Sequence, residues 1–145
     1  MKKISILFFI LLFQLVPINM FSKSRTGNLK IYVSGFKTCN GQLILALCNS
    51  ESNYKDHKNP YKGGKALIIN KTSQFVFRNL PYGTYAIKAF HDKNKDNKLN
   101  FALLGWPVEA YGFSNNARRT FGPPSWKAAK FTFFRNNQTI TFKVK

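Results

Sequence analysis

The residues best suited to chemistry lie together between His91 and Asn116, in HDKNKDNKLNFALLGWPVEAYGFSNN. Three of the chain's five carboxylates, Asp92, Asp96 and Glu109, fall here, interleaved with Asn94, Asn97 and Asn100. A hard cation such as calcium takes its oxygen ligands from alternate positions of a loop. On that template Asp92, Asn94 and Asp96 fill positions one, three and five. Lys98 offers its backbone carbonyl at seven, and Asn100 stands at nine. Position six, ordinarily glycine, is Asn97, one of the few residue types that tolerate a left-handed backbone. Position twelve is Leu103, so the bidentate glutamate is missing, and Glu109 supplies a carboxylate only if the loop folds back. Lys93, Lys95 and Lys98 oppose a divalent ion unless they turn outward. Two readings follow. One is a weak calcium site, with a dissociation constant of roughly 10⁻⁴ to 10⁻³ M. The other is a set of Asx-turns, in which Asp and Asn side chains bond their own backbone.

A second constellation follows the acidic run. Trp106, Tyr111, Phe113 and Trp126 accompany Asn115, Asn116, Arg118 and Arg119. Aromatic rings stack on the apolar faces of sugars, while Asn and Arg bind hydroxyls or phosphates. A face for carbohydrate or anionic polymer is one expectation; the other is that the rings pin a long loop to the core. His91 beside Asp92, with Glu109, is the acid–base set a hydrolase would use, and it would need a concave pocket to work in. No Gly-x-Ser-x-Gly elbow, phosphate-cradling glycine loop or His-Glu-x-x-His occurs, so no catalytic residue is assigned.

These residues need a frame, and the hydrophobic pattern supplies strands. Leu29, Ile31 and Val33 alternate with polar neighbours, and Asn40-Gly41 makes a tight turn into Leu43, Leu45 and Leu47. Residues 51–64 read as a polar loop, 66–70 as a short strand, 74–80 and 84–90 as a hairpin across Pro81-Tyr82-Gly83. Residues 129–134 and 139–144 finish the chain. Seven short strands predict an all-β, antiparallel sandwich filled largely by the 15 phenylalanines, with one long structured loop over 92–127.

The N-terminus reads as an export signal over residues 1–22. Lys2 and Lys3 precede a nearly continuous apolar run from Ile4 to Val16, closed by Pro17. Thirteen helical residues reach about 20 Å, short of a bilayer core, so no permanent membrane span is expected. Removing residues 1–22 takes Lys2 and Lys3 from the 23 basic residues, leaving 21 against 5 acidic, a formal +16. That charge attracts acidic glycans, nucleic acid or anionic lipid headgroups, but the lysines are scattered, and no specific nucleic-acid site is read. Cys39 and Cys48 are too far apart along a strand to bridge, so two free or buried thiols are expected.

Two motifs resemble a known family. Phe77-Arg78-Asn79-Leu80-Pro81-Tyr82-Gly83-Thr84-Tyr85 is similar to a hairpin of transthyretin-like and carboxypeptidase-regulatory-like β-sandwiches. With Ala86 to Asp92 and Gly105-Trp106-Pro107-Val108-Glu109-Ala110-Tyr111-Gly112-Phe113-Ser114-Asn115-Asn116, it resembles the bacterial secreted domain of unknown function 2141. The resemblance spans about residue 28 to the end. It implies a periplasmic or secreted β-sandwich and no known activity. The family's usual loop has glycine where Asn97 stands and aspartate where Asn100 stands. The resulting expectation is an exported, non-catalytic envelope module of residues 23–145.

Overall fold

The computed structural model describes residues 25–145 apart from His57; the expected signal over 1–22 and His57 lie outside the described residues. Alternation sets the first strands. In β1 (Thr26–Ser34) Leu29, Ile31 and Val33 are buried and their neighbours are not; in β2 (Gln42–Cys48) Leu43, Leu45 and Leu47 are buried likewise, and Cys48 at the end is buried on the opposite face. After a one-turn helix α1 (Glu51–Lys55) come β3 (Lys62–Ala66), β4 (Thr72–Pro81) and β5 (Gly83–Asp92). The remainder is β6 (Tyr111–Phe113), a 3₁₀ turn at Ser114–Asn116, α2 (Trp126–Ala129), β7 (Phe131–Phe133) and β8 (Gln138–Lys143).

Two sheets result. One has three strands in the order β4-β1-β8; the other has five, in the order β3-β2-β5-β6, with β7 also paired to β5. They close on one core, where Leu29, Ile31 and Phe142 of the first sheet meet Leu45, Ile87 and Phe133 of the second. A smaller cluster lies on the outer face of the five-stranded sheet. There Cys48, Ala86 and Phe113 pack under Tyr54 and Ala129 from the two short helices. Among the described residues all eight strands and both clusters lie between Thr26 and Val144.

The all-β expectation holds, with three differences in detail. The pairing is not wholly antiparallel: β1 and β8 run parallel, from Leu29 opposite Gln138 to Ser34 opposite Lys143. This follows from β7 joining β5 in the other sheet, so that β8 crosses over and enters beside β1 from the same end. The third strand occupies Lys62–Ala66 rather than 66–70, and Leu67 and Ile69 are exposed. Gly64 fits closely at that edge: a Cβ on it would lie 2.7 Å from the ring of Phe75, which would have to shift. Finally, the long loop over 92–127 contains its own strand, β6, giving eight strands where seven were expected.

Candidate functional site

Strand β5 carries the site into place. Its odd residues, Tyr85, Ile87, Ala89 and His91, join or border the core, while Ala86, Lys88 and Asp92 face the other side. His91 and Asp92 are both fully buried, on opposite faces. The His91 ring stands edge-on to Phe36, with centroids 5.2 Å apart, and its Nε2 lies 2.6 Å from the carbonyl oxygen of Asn40. A carbonyl can only accept, so Nε2 carries the proton. No hydrogen-bond partner reaches the buried Nδ1.

Asp92 opens the loop. Its Oδ2 accepts from Gln42 Nε2 at 2.8 Å and from the Asn97 backbone N–H at 3.1 Å. Its Oδ1 is buried and has no partner. Asn97 takes a left-handed backbone with φ 64°, the conformation that glycine provides at position six of a calcium loop. Its Oδ1 accepts from Lys65 Nζ at 2.6 Å and Gln42 Nε2 at 3.2 Å, which ties the loop to β2 and β3.

Asx-turn bonds run along the same residues. Asn94 Oδ1 accepts from the Asp96 N–H at 3.2 Å, and Asp96 Oδ1 from the Lys98 N–H at 2.8 Å. Asp96 Oδ2 accepts from both the Asn94 and Asn100 amides, each at 3.0 Å. The Asn100 amide, then the Lys98 N–H, hold the Asp96 carboxyl below its ordinary value. Glu109 does fold back: its Oε1 accepts from the Lys93 N–H at 2.8 Å and its Oε2 from the Asn100 N–H at 3.1 Å. It thereby staples the two ends of the loop. Among the described residues no three His, Cys, Asp or Glu side chains gather into a metal-holding group, so Asp92, Asp96 and Glu109 do not share one point.

The aromatic face expected from the second constellation does not assemble as a single surface. Tyr111, Phe113 and Trp126 belong to the outer cluster; Trp126 packs edge-on to Tyr54 at 5.7 Å. Trp106 projects separately, well exposed. Asn115 donates to the carbonyls of Ala128, Ala129 and Lys130, at 3.2, 3.2 and 2.9 Å, and Asn116 Oδ1 accepts from the Lys143 N–H at 2.8 Å. Both amides therefore hold backbone. Ser114, between strand and turn, is fully buried: its Oγ accepts from Ile87 N–H at 2.9 Å and donates to Ala129 O at 2.6 Å. Arg118 and Arg119 are exposed. Arg119, Lys55, Tyr54 and Trp126 border a groove of 460 Å³ between α1 and α2.

Residues 31–141 match the family described as uncharacterized protein conserved in bacteria, DUF2141. The chain belongs to that family. The matched region of this DUF2141 chain takes in the loop, the Tyr-Gly-Phe strand and the Ser-Asn-Asn turn. No curated protein and no solved structure matches the chain.

His91, Asp92 and Glu109 are not joined to one another by any hydrogen bond among the described residues. His91 and Glu109 do border a common cleft of 190 Å³, below the size of ordinary small-molecule sites. Glu109 has both oxygens committed to backbone donors there. Cys39 is exposed and Cys48 buried, and neither is in a disulfide. Burial pushes the Cys48 thiol up, against the opposing pull of the Lys88 ammonium. Gln42 and Lys65 are the site residues that sequence reasoning missed. No local signal marks them, because they arrive from strands 50 and 32 positions away.

Proposed function

We propose that this protein is an exported, non-catalytic module of the periplasm or cell surface, a transthyretin/immunoglobulin-like sandwich whose loop over 92–109 binds calcium weakly. The observation that carries the reading is Asp92 Oδ1, a fully buried carboxylate oxygen that no donor satisfies. Burying an unpaired anionic oxygen is costly, and a cation or a water must meet it. The loop is rich in hard oxygens, as calcium prefers: Asp92, Asn94, Asp96, Asn100, the Lys98 carbonyl and Glu109. The left-handed Asn97 supports the same reading. Asx-turns account for Asn94 and Asp96 but leave Asp92 Oδ1 unexplained.

The test is a thermal melt of residues 23–145 with calcium and with chelator. At a hundredfold excess over the dissociation constant, stability rises by about 2.7 kcal/mol, which moves the midpoint by roughly 10 °C. Asp92→Asn removes that rise. An unchanged midpoint at tens of millimolar calcium refutes the metal reading.

A second reading, binding of carbohydrate or anionic polymer, draws on the groove of Trp126, Tyr54 and Arg119, where Lys55 is already ion-paired with Glu51 of the same lining at 2.8 Å. It predicts retardation of the protein in a gel containing an acidic polysaccharide, abolished by Arg119→Ala with Trp126→Ala. Equal mobility of protein and variant would exclude it.

A further inference from the structure

The loop that Asp92 opens ends in a projecting hairpin whose exposed side chains are apolar. Phe101 pairs with Pro107 as an antiparallel bridge. Ala102 N–H donates to Trp106 O at 2.8 Å, Gly105 N–H to Ala102 O at 2.9 Å, and Val108 N–H to Asn100 O at 3.0 Å. At the tip Leu103 is 103% exposed and Leu104 85%, with Trp106 at 61% and Phe101 at 58%. Apolar atoms usually leave water when a fold can bury them. Here they are held outward on a turn whose backbone bonds are closed within itself.

The base of the hairpin is basic. Pro107 and Val108 share the 190 Å³ cleft with Lys37, Lys93 and Lys145. Glu109 and His91 also border it, with Glu109 already engaged by the Lys93 and Asn100 N–H groups. Lys93, Lys95 and Lys98 balance Asp92, Asp96 and Glu109 along the loop, and Lys37, Lys65 and Lys145 add three further cations around it.

The geometry points to an anionic lipid bilayer surface as the partner of this hairpin: Leu103, Leu104 and Trp106 enter the interface while the lysines at its base meet headgroup phosphates. Shape selects a bilayer over a protein. A convex tip with fully solvated leucines buries its surface only in a deformable medium or in a preformed socket. Charge selects an anionic one, because lysines close to such a surface each strengthen binding severalfold. Tryptophan suits the boundary, with its apolar ring inward and its N–H among headgroups. The attachment is peripheral; among the described residues no helix is long and apolar enough to cross a membrane. It needs no calcium, so it stands or falls separately from the cation reading.

The experiment uses the expected exported chain, residues 23–145, which contains every described strand and both clusters, with vesicles of phosphatidylcholine alone or mixed with phosphatidylglycerol, all in chelator. Sedimentation with the mixed vesicles is expected to exceed that with neutral ones at least about tenfold and to fall with added salt. Leu103→Asp with Leu104→Asp weakens binding at least about tenfold, and Lys37→Glu with Lys145→Glu weakens it comparably. Trp126→Phe leaves Trp106 as the only tryptophan, and its emission shifts to the blue and is quenched by brominated lipid. Free glycerol phosphate at millimolar concentration does not displace the protein, which separates a bilayer from a soluble phosphate ligand. Equal binding to both vesicle types, a tip variant that binds like its parent, an unshifted Trp106, or displacement by glycerol phosphate each overturns the inference. So does a solution dimer that the tip variant abolishes, which would make a second copy of the chain the occupant.

Discussion

Replacing Gly112 with alanine is expected to lower the unfolding midpoint by about 10 °C or more, the loss of about 3 kcal/mol. Gly112 is buried at the centre of β6, and a Cβ there would overlap the carbonyl oxygen of Lys143 and crowd the Val144 Cα. These are backbone atoms, which cannot rotate aside. Tyr111 and Lys145 exchange hydrogen bonds at this crossing, 3.1 and 3.0 Å long, and thereby tie the return of the long loop to the end of the chain. Widening that crossing separates β6 from the tail, so protease attack on residues 93–110 should accelerate along with the fall in the midpoint. A midpoint within 2 or 3 °C of the parent (about 1 kcal/mol or less) would mean that the crossing is looser than described.

Ser114→Ala is expected to cost about 1–3 kcal/mol, although only one oxygen is removed. That hydroxyl is the partner of two buried backbone groups, Ile87 N–H in β5 and Ala129 O at the end of α2. Alanine leaves Ile87 N–H without the hydroxyl and leaves Ala129 O only its bond from Asn115 Nδ2, at 3.2 Å, so the cost is chiefly that of one orphaned donor. Urea unfolding should show a lower midpoint concentration with an unchanged slope, the sign of lost stability without a change in the denatured state. A loss below about 1 kcal/mol would show that water replaces the hydroxyl. Ser114 thus joins the sheet to the outer cluster; with both bonds committed to backbone, it is not placed to act as a nucleophile.

The strands that alternate cleanly were legible from the chain. Leu29-Ile31-Val33, Leu43-Leu45-Leu47 and Ile140-Phe142 report their buried face directly, since the side-chain period of a strand is two. Strand β3 was not, because Lys62-Gly63-Gly64-Lys65-Ala66 has no apolar alternation and is held by its pairing with β2. Strand β6 was hidden by its length of three residues inside an aromatic loop. The parallel placement of β8 depends on where β7 goes, a non-local fact.

For the site, the acidic loop stood out in the sequence, and Glu109 was a ligand only on condition that the loop folds back; what the asparagines hold was not legible. Asn115 and Asn116 read as ligand-facing amides, yet an amide binds a backbone as readily as a sugar, and here both hold backbone. The feature that distinguishes Asp92 from an ordinary turn residue is its unpartnered oxygen. That arises from burial beside Gln42 and could not be read from the loop alone.

The most direct measurement is a calcium titration of isotope-labelled residues 23–145 followed through backbone amide resonances. The account predicts saturable shifts concentrated on the amides of Lys93 to Asn100, with β1 and β8 unmoved and the response lost in Asp92→Asn. No saturable change in those amides, or an equal response in the Asp92→Asn protein, would contradict it.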